Sequence, residues 1–98
     1  MQAQSGTLLA AATTVLASSA VQLPESTALT IFAKGTNAVV SIEVLSPAGD
    51  WHVLDTYTFT TAAVQAPKVY VGVYGAIRAN ATANTGTVTV SFLAATRW

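Results

Sequence analysis

Charge is scarce in this chain. Only 8% of its 98 residues are Asp, Glu, Lys or Arg, against about 25% in an ordinary soluble domain. The cations Lys34, Lys68, Arg78 and Arg97 balance the anions Glu25, Glu43, Asp50 and Asp55, so the formal charge is zero. Binding through phosphates needs a positive surplus, and neither end carries a basic arm. Nucleic acid is therefore not an expected partner. Cysteine is absent, which removes disulfides and thiolate metal sites. Long apolar runs are missing too. A membrane-spanning helix needs about 20 predominantly apolar residues, whereas Leu8–Ala17 is shorter and is interrupted by Thr13 and Thr14. No membrane association is expected. Met1–Thr7 lacks the positive charge of a secretory leader, so Ala17–Ala20 is not read as a cleavage site.

What is present is apolar: 52% of the residues are hydrophobic. A small monomer relies on charge to stay dispersed. A chain this neutral can instead take surface out of water by assembling, and a homo-oligomer is the expectation.

Two regions differ in composition. Residues 1–24 are rich in Ala, Ser, Thr and Gln, carry no charge and end at Pro24. Alanine favours helix there, while Thr13, Thr14 and Val15 favour strand. The segment reads as an extended N-terminal arm with one short strand, lying outside the domain on a neighbouring chain. Residues 25–98 read as a β domain. Val40, Ile42 and Val44 alternate with Val39, Ser41 and Glu43, the period of a half-buried strand. Trp51, Val53, Asp55, Tyr57 and Phe59 share one face of the next strand. Val69, Val71 and Val73 alternate with Tyr70, Gly72 and Tyr74, and Val88, Val90 and Phe92 follow. Turn chemistry separates these runs at Lys34–Asn37, Ser46–Asp50 and Asn84–Gly86, and Gly75 allows a bend. Regularly spaced strands with turns between them make an antiparallel β-sandwich, jelly-roll or immunoglobulin-like, of about six to eight strands. The expected core is Val40, Ile42, Val44, Val69, Val71, Val73, Val88, Val90 and Phe92. The tyrosines opposite the valine face then point outward.

Few residues suggest chemistry. Asp50, His52 and Asp55 are close in sequence, but one His without Cys makes neither a metal site nor a triad. No catalytic residue, metal or cofactor is expected, and replacing these three should cost stability only. Trp51, Tyr57, Tyr70 and Tyr74 could form a platform for a sugar; in a chain so poor in charge they fit core packing and a protein interface better. Arg78 should find a carboxylate, Asp55 or Glu43. The candidate interface residues are Leu8, Leu9, Val15 and Leu16 in the arm, with Tyr70, Tyr74 and Trp98.

The stretch from Leu29 to Leu93 resembles small structural β domains of bacteriophage particles. The likeness lies in a strand and Gly-containing turn leading to Trp, here Val40–Trp51. It continues in an aromatic-Gly step before an Ile-Arg-Ala strand, Tyr74–Ala79, and in the Thr-Gly-Thr-Val-Thr-Val strand Thr85–Val90. Such domains serve as capsid decoration, head fibres, neck parts or tail appendages. The resemblance implies a virion protein, made in the host cytoplasm, that contacts other virion proteins such as the major capsid protein. The leading expectation is a non-enzymatic virion structural protein that decorates or stabilises the capsid through oligomeric contacts, and by analogy with the three-fold points of a shell a trimer is favoured. A carbohydrate-binding or adhesin module of a fibre or tail appendage is the alternative.

Overall fold

The computed structural model describes residues 3–96, apart from the side chains at 3, 24–27, 72–74 and 96. Its elements are all strands: β1 (Ala3–Ala12), β2 (Leu16–Ala17), β3 (Val21–Leu45), β4 (Trp51–Phe59), β5 (Ala63–Val64) and β6 (Lys68–Thr96). β3 and β6, at 25 and 29 residues, far exceed the usual strand length of about 5–6. Each is used more than once.

Residues 27–36 of β3 run between two parts of β6, so that Ile31 pairs with Lys68 on one side and Phe92 on the other. Residues 38–45 run between β4 and the middle of β6, and Ile42 pairs with both Asp55 and Ala79. β1 covers the last part of β6, with Gly6 opposite Phe92. β2 and residues 21–23 flank the middle of β6, with Ala17 opposite Asn80 and Leu23 opposite Gly75. In every ladder the numbers fall along one strand as they rise along the other, so all pairing is antiparallel. Eight strand segments result. Numbered in chain order, they form two four-segment sheets, 1-8-3-6 and 2-7-4-5. The first sheet holds β1 with residues 87–96, 27–36 and 68–73. The second holds residues 16–23, 75–84, 38–45 and β4. This wiring is a jelly roll, one of the two sandwich types left open above.

The core lies between the sheets. Leu29, Ile31 and Ala33 point inward from the first half of β3, and Ala38, Val40 and Ile42 from the second. The inward set shifts from odd to even numbers at Asn37, whose φ of 49° makes a bulge; without it the second half would turn its apolar side outward. β6 makes the matching shift, from Ile77, Ala79 and Ala81 to Val88, Val90 and Phe92. Lys34–Asn37 and Asn84–Gly86 are therefore bulged corners inside continuous strands rather than the turns expected of them. Ser46–Asp50 is a turn, closed by Ser46 N–H donating to Asp50 O at 2.8 Å, with Gly49 at φ 95°. Gly75, at φ 89°, bends β6 from one sheet to the other.

Two expectations need correction. The described part of the stretch 1–24 is not an arm outside the sandwich: Gln4–Thr7 pair with Ala94–Ser91, and Leu9 and Leu23 are buried in the core. The accessible surface of 5275 Å² matches the roughly 5,200 Å² of a compact monomer of this mass, so no segment of the described chain projects. The valine face of residues 69–73 is also not core. Val69 and Val71 are 62% and 67% exposed, and the side chain of Val73 lies outside the described residues. The reason is register. Tyr70 sits opposite Leu29, which is fully buried, and directly paired residues share a face. Tyr70 therefore turns inward and the valines turn out. The rest of the expected core holds, with Val44 packed at its margin.

Candidate functional site

Three features stand out beyond the apolar core: a tyrosine-aspartate cluster, an arginine-tryptophan cluster and an apolar sheet face.

The first cluster closes the open side of the sandwich. β4 is the outer strand of the second sheet and residues 68–73 are the outer segment of the first, so Tyr57 and Asp55 face Tyr70 and Lys68 across the gap. The Tyr70 hydroxyl donates to Asp55 Oδ2 at 2.6 Å and lies 2.5 Å from the Tyr57 hydroxyl. A phenol has one proton. Tyr70 gives its own to Asp55, so Tyr57 donates to Tyr70. Thr56 N–H donates to Asp55 Oδ1 at 2.8 Å, and Lys68 Nζ lies 3.5 Å from Oδ2 and 5.1 Å from the Tyr57 ring centroid. The Tyr70 bond, helped by Thr56 and Lys68, holds the Asp55 carboxyl below the usual carboxylate range against the opposing effect of burial. Burial, with the hydrogen bonds to Asp55 and Tyr57, pushes the Tyr70 phenol well above its ordinary value.

These polar atoms satisfy one another, which makes the cluster a clasp between sheets. Its pH dependence follows. A depressed carboxyl contributes stability above its unfolded value of about 4, lost as pH falls through the folded one. A raised phenol contributes stability below about 10, lost as pH rises beyond it. Tyr70→Phe should lower the urea-unfolding free energy at pH 7 by about 1–3 kcal/mol, since it removes a bond to a charged group and leaves the buried Tyr57 hydroxyl unpaired. It should also flatten the loss of stability above pH 10 and weaken the acid limb. Urea midpoints at pH 3, 7 and 10.5 check this; an unchanged pH profile would remove the clasp.

The second cluster lies on the outer face of the second sheet. Glu43 and Arg78 are direct cross-strand partners. Arg78 Nε donates to Glu43 Oε1 at 2.6 Å, and Asn80 Nδ2 donates to Oε2 at 3.3 Å. The guanidinium carbon stands 4.3 Å from the Trp51 ring centroid. Of the two carboxylates expected for Arg78, Glu43 is its partner. The indole face is occupied by Arg78, Tyr57 is buried and Tyr70 is held in the clasp, so the described aromatic side chains do not line up as one platform. Asp50, His52 and Asp55 are also separated: Asp50 ends the turn, His52 is exposed opposite Val44, and Asp55 belongs to the clasp. Among the described residues no three of His, Cys, Asp and Glu gather as a metal site would require.

The third feature is the outer face of the first sheet. Register sets its rows. Val71, Ala28 and Ala95 form one; Val69, Thr30, Leu93 and Ser5 the next; then Phe32, Ser91 and Thr7; then Val64, Lys34 and Thr89. Of eight exposed large apolar side chains among the described residues, five lie on this face: Phe32, Val64, Val69, Val71 and Leu93. Among the described residues Lys34 is its one charge, at an end. There, hollows of about 310 and 150 Å³ adjoin beneath residues 62–67. Of the expected interface residues, Val15 and Leu16 are exposed elsewhere, at the link from β1 to β2; Leu8 packs on the core, Leu9 is within it and Tyr70 is half-buried. Tyr74's side chain and Trp98 lie outside the described residues. The face was missed because the valines were assigned to the interior.

Searches against family models and curated proteins find no match. Among solved structures, the crystal structure of SPBc2 prophage-derived protein YomS is similar to this chain. The TM-score is 0.75 at 14% identity, covering 95% of this chain and 92% of that one. At that identity the likeness is one of fold.

Proposed function

We propose that this chain is a non-enzymatic structural protein of a phage particle that works through contacts with copies of itself and with other virion proteins, the major capsid protein among them. The observation that carries the reading is the outer face of the first sheet, where apolar side chains that could have been core are displayed on a nearly uncharged surface. Contiguous apolar patches of this kind on a soluble protein mark interaction sites. The jelly roll shared with a prophage-derived protein supports the setting. The polar clusters support the absence of catalysis, because their donors and acceptors are engaged with one another and hold the sandwich together.

The experiment is quantitative mass spectrometry of particles purified from the phage or induced prophage that carries the gene. A fixed copy number relative to the major capsid protein is expected, retained through a density gradient. Absence from washed particles would overturn the reading.

A further inference from the structure

We infer that the outer face of the first sheet is occupied by a second copy of this chain, packed sheet to sheet about a two-fold axis. The inference rests on the reading of the chain as a self-assembling structural protein and names the surface that does it.

Area supports a second copy. Four segments about 4.8 Å apart and four outward rows about 6.7 Å apart span on the order of 500 Å². Two copies then bury about 1,000 Å², the lower limit for a specific interface. One contiguous patch on a flat sheet is what an isologous contact uses, because each copy offers the same surface. A three-fold ring would need two different complementary patches, and most of the exposed large apolar side chains among the described residues gather on this one. The two-fold therefore replaces the trimer favoured by analogy.

Shape and charge fix the direction of the axis. The face has the exposed valines Val69 and Val71 at one end, with Val64, also exposed, on the rim of the other. Its hollows lie at the other, lined by Phe32, Val64, Pro67 and Thr89 among others. An axis running across the strands lays one copy's valine end over the other's hollow end, so each set of protrusions meets a depression. The same axis sets the two Lys34 side chains at opposite ends, about 20 Å apart along the strands. That exceeds the screening length of about 8–10 Å in ordinary buffers, so they do not repel, and each stays at the rim where charge is tolerated. An axis parallel to the strands would instead stack the Lys34 rows on each other.

Sedimentation equilibrium of the full chain over a wide concentration range tests this. The expected mass is twice the 10.0 kDa protomer. Val69→Lys and Val71→Lys each put charge into the middle or end of the contact twice per dimer and should weaken association at least about a hundredfold. Both sites are exposed in the protomer, so melting of the dissociated variants followed by circular dichroism should remain cooperative. Val53→Lys, exposed on the second sheet, should leave the dimer intact. A wild-type chain that stays monomeric at millimolar concentration, a trimeric mass, or a dimer that survives both valine variants would overturn the inference. Monomeric wild type whose binding to particles is lost in Val69→Lys would assign the face to another virion protein and also overturn the second copy. Failure of the virion reading is separate: it shows as absence from particles, whatever the mass in solution.

Discussion

A chain lacking residues 1–12 will not fold. β1 contributes one of the two outer segments of the first sheet, pairing from Ala3 opposite Ala95 to Ala12 opposite Val88. Its loss has three consequences. The Leu9 side chain leaves the core, which for a buried leucine costs about 2–5 kcal/mol. The Phe92 ring loses its cover: a Cβ on Gly6 would stand 3.0 Å from that ring, so the β1 backbone lies directly on it. The ladder groups of residues 88–95 are bared as a long unprotected edge, which invites aggregation. Against a total stability of about 5–15 kcal/mol for a domain, the first loss is already a large fraction, and the others add to it. Far-ultraviolet circular dichroism and a thermal melt of the truncated chain should show no cooperative transition at 25 °C or above. A melt within a few degrees of the full chain would restore the picture of residues 1–24 as a dispensable arm.

That picture arose from composition, and its failure shows where the sequence runs out. Residues 1–24 have no charge and few large side chains, which describes an undocked arm and an outer strand equally well. What distinguishes them is that Gly6 fits over Phe92 and Leu9 reaches Val90 in register, facts about pairing partners some 80 residues away. The same limit governs Val69, Tyr70 and Val71. Alternation separates two faces, but hydropathy alone cannot choose the inner one when the rival face carries tyrosine, whose ring is apolar and whose hydroxyl needs a partner. Asp55 and Tyr57 on a different strand provide that partner, and Leu29 sets the register. Within β3 the choice was legible: Val40 and Ile42 are wholly apolar, while the rival face carries Ser41 and Glu43, which need polar partners and find them in Thr56, Arg78 and Asn80. The interaction face was invisible for the same reason that the core was misassigned, since one set of valines cannot be both.

Turn chemistry was legible in place but not in use. Lys34–Asn37 and Asn84–Gly86 carry residues suited to turns, and the fold places the two sequences opposite each other, Thr36 beside Thr87 and Ala38 beside Asn84. Both strands bulge there as the chain passes from one sheet to the other. Asn84 ties the corner to the end of β1, donating from Nδ2 to Ala12 O at 2.9 Å and Thr14 O at 3.2 Å, while its Oδ1 accepts from Gly86 N–H at 3.1 Å.

Gly86→Ala should accordingly be the most damaging single methyl in the described chain. A Cβ at that position would collide with the Thr36 carbonyl oxygen and lie 2.9 Å from its carbon. These are backbone atoms in a paired strand, so no side-chain rotation can relieve the clash. The two bulged strands would have to separate by about 1 Å or more, at the point where the core changes sheets and where Val88 opens the inward set of the first sheet and Ala38 that of the second. Overpacking a well-formed core costs about 1–3 kcal/mol when side chains can adjust; a fixed carbonyl places this change at or above the upper end. For a domain of this length about 3 kcal/mol corresponds to a fall of roughly 12–24 °C in melting temperature. Gly49→Ala supplies the comparison. Its Cβ would meet nothing within 4 Å, but its φ is +95°, so it pays only the backbone strain of a left-handed residue, about 1–2 kcal/mol. Thermal melts of the two variants beside the wild type separate space from conformation. If Gly86→Ala melts within a few degrees of wild type, or above Gly49→Ala, the close crossing of the two strands at this corner is wrong, and with it the account of how β3 and β6 carry one core through both sheets.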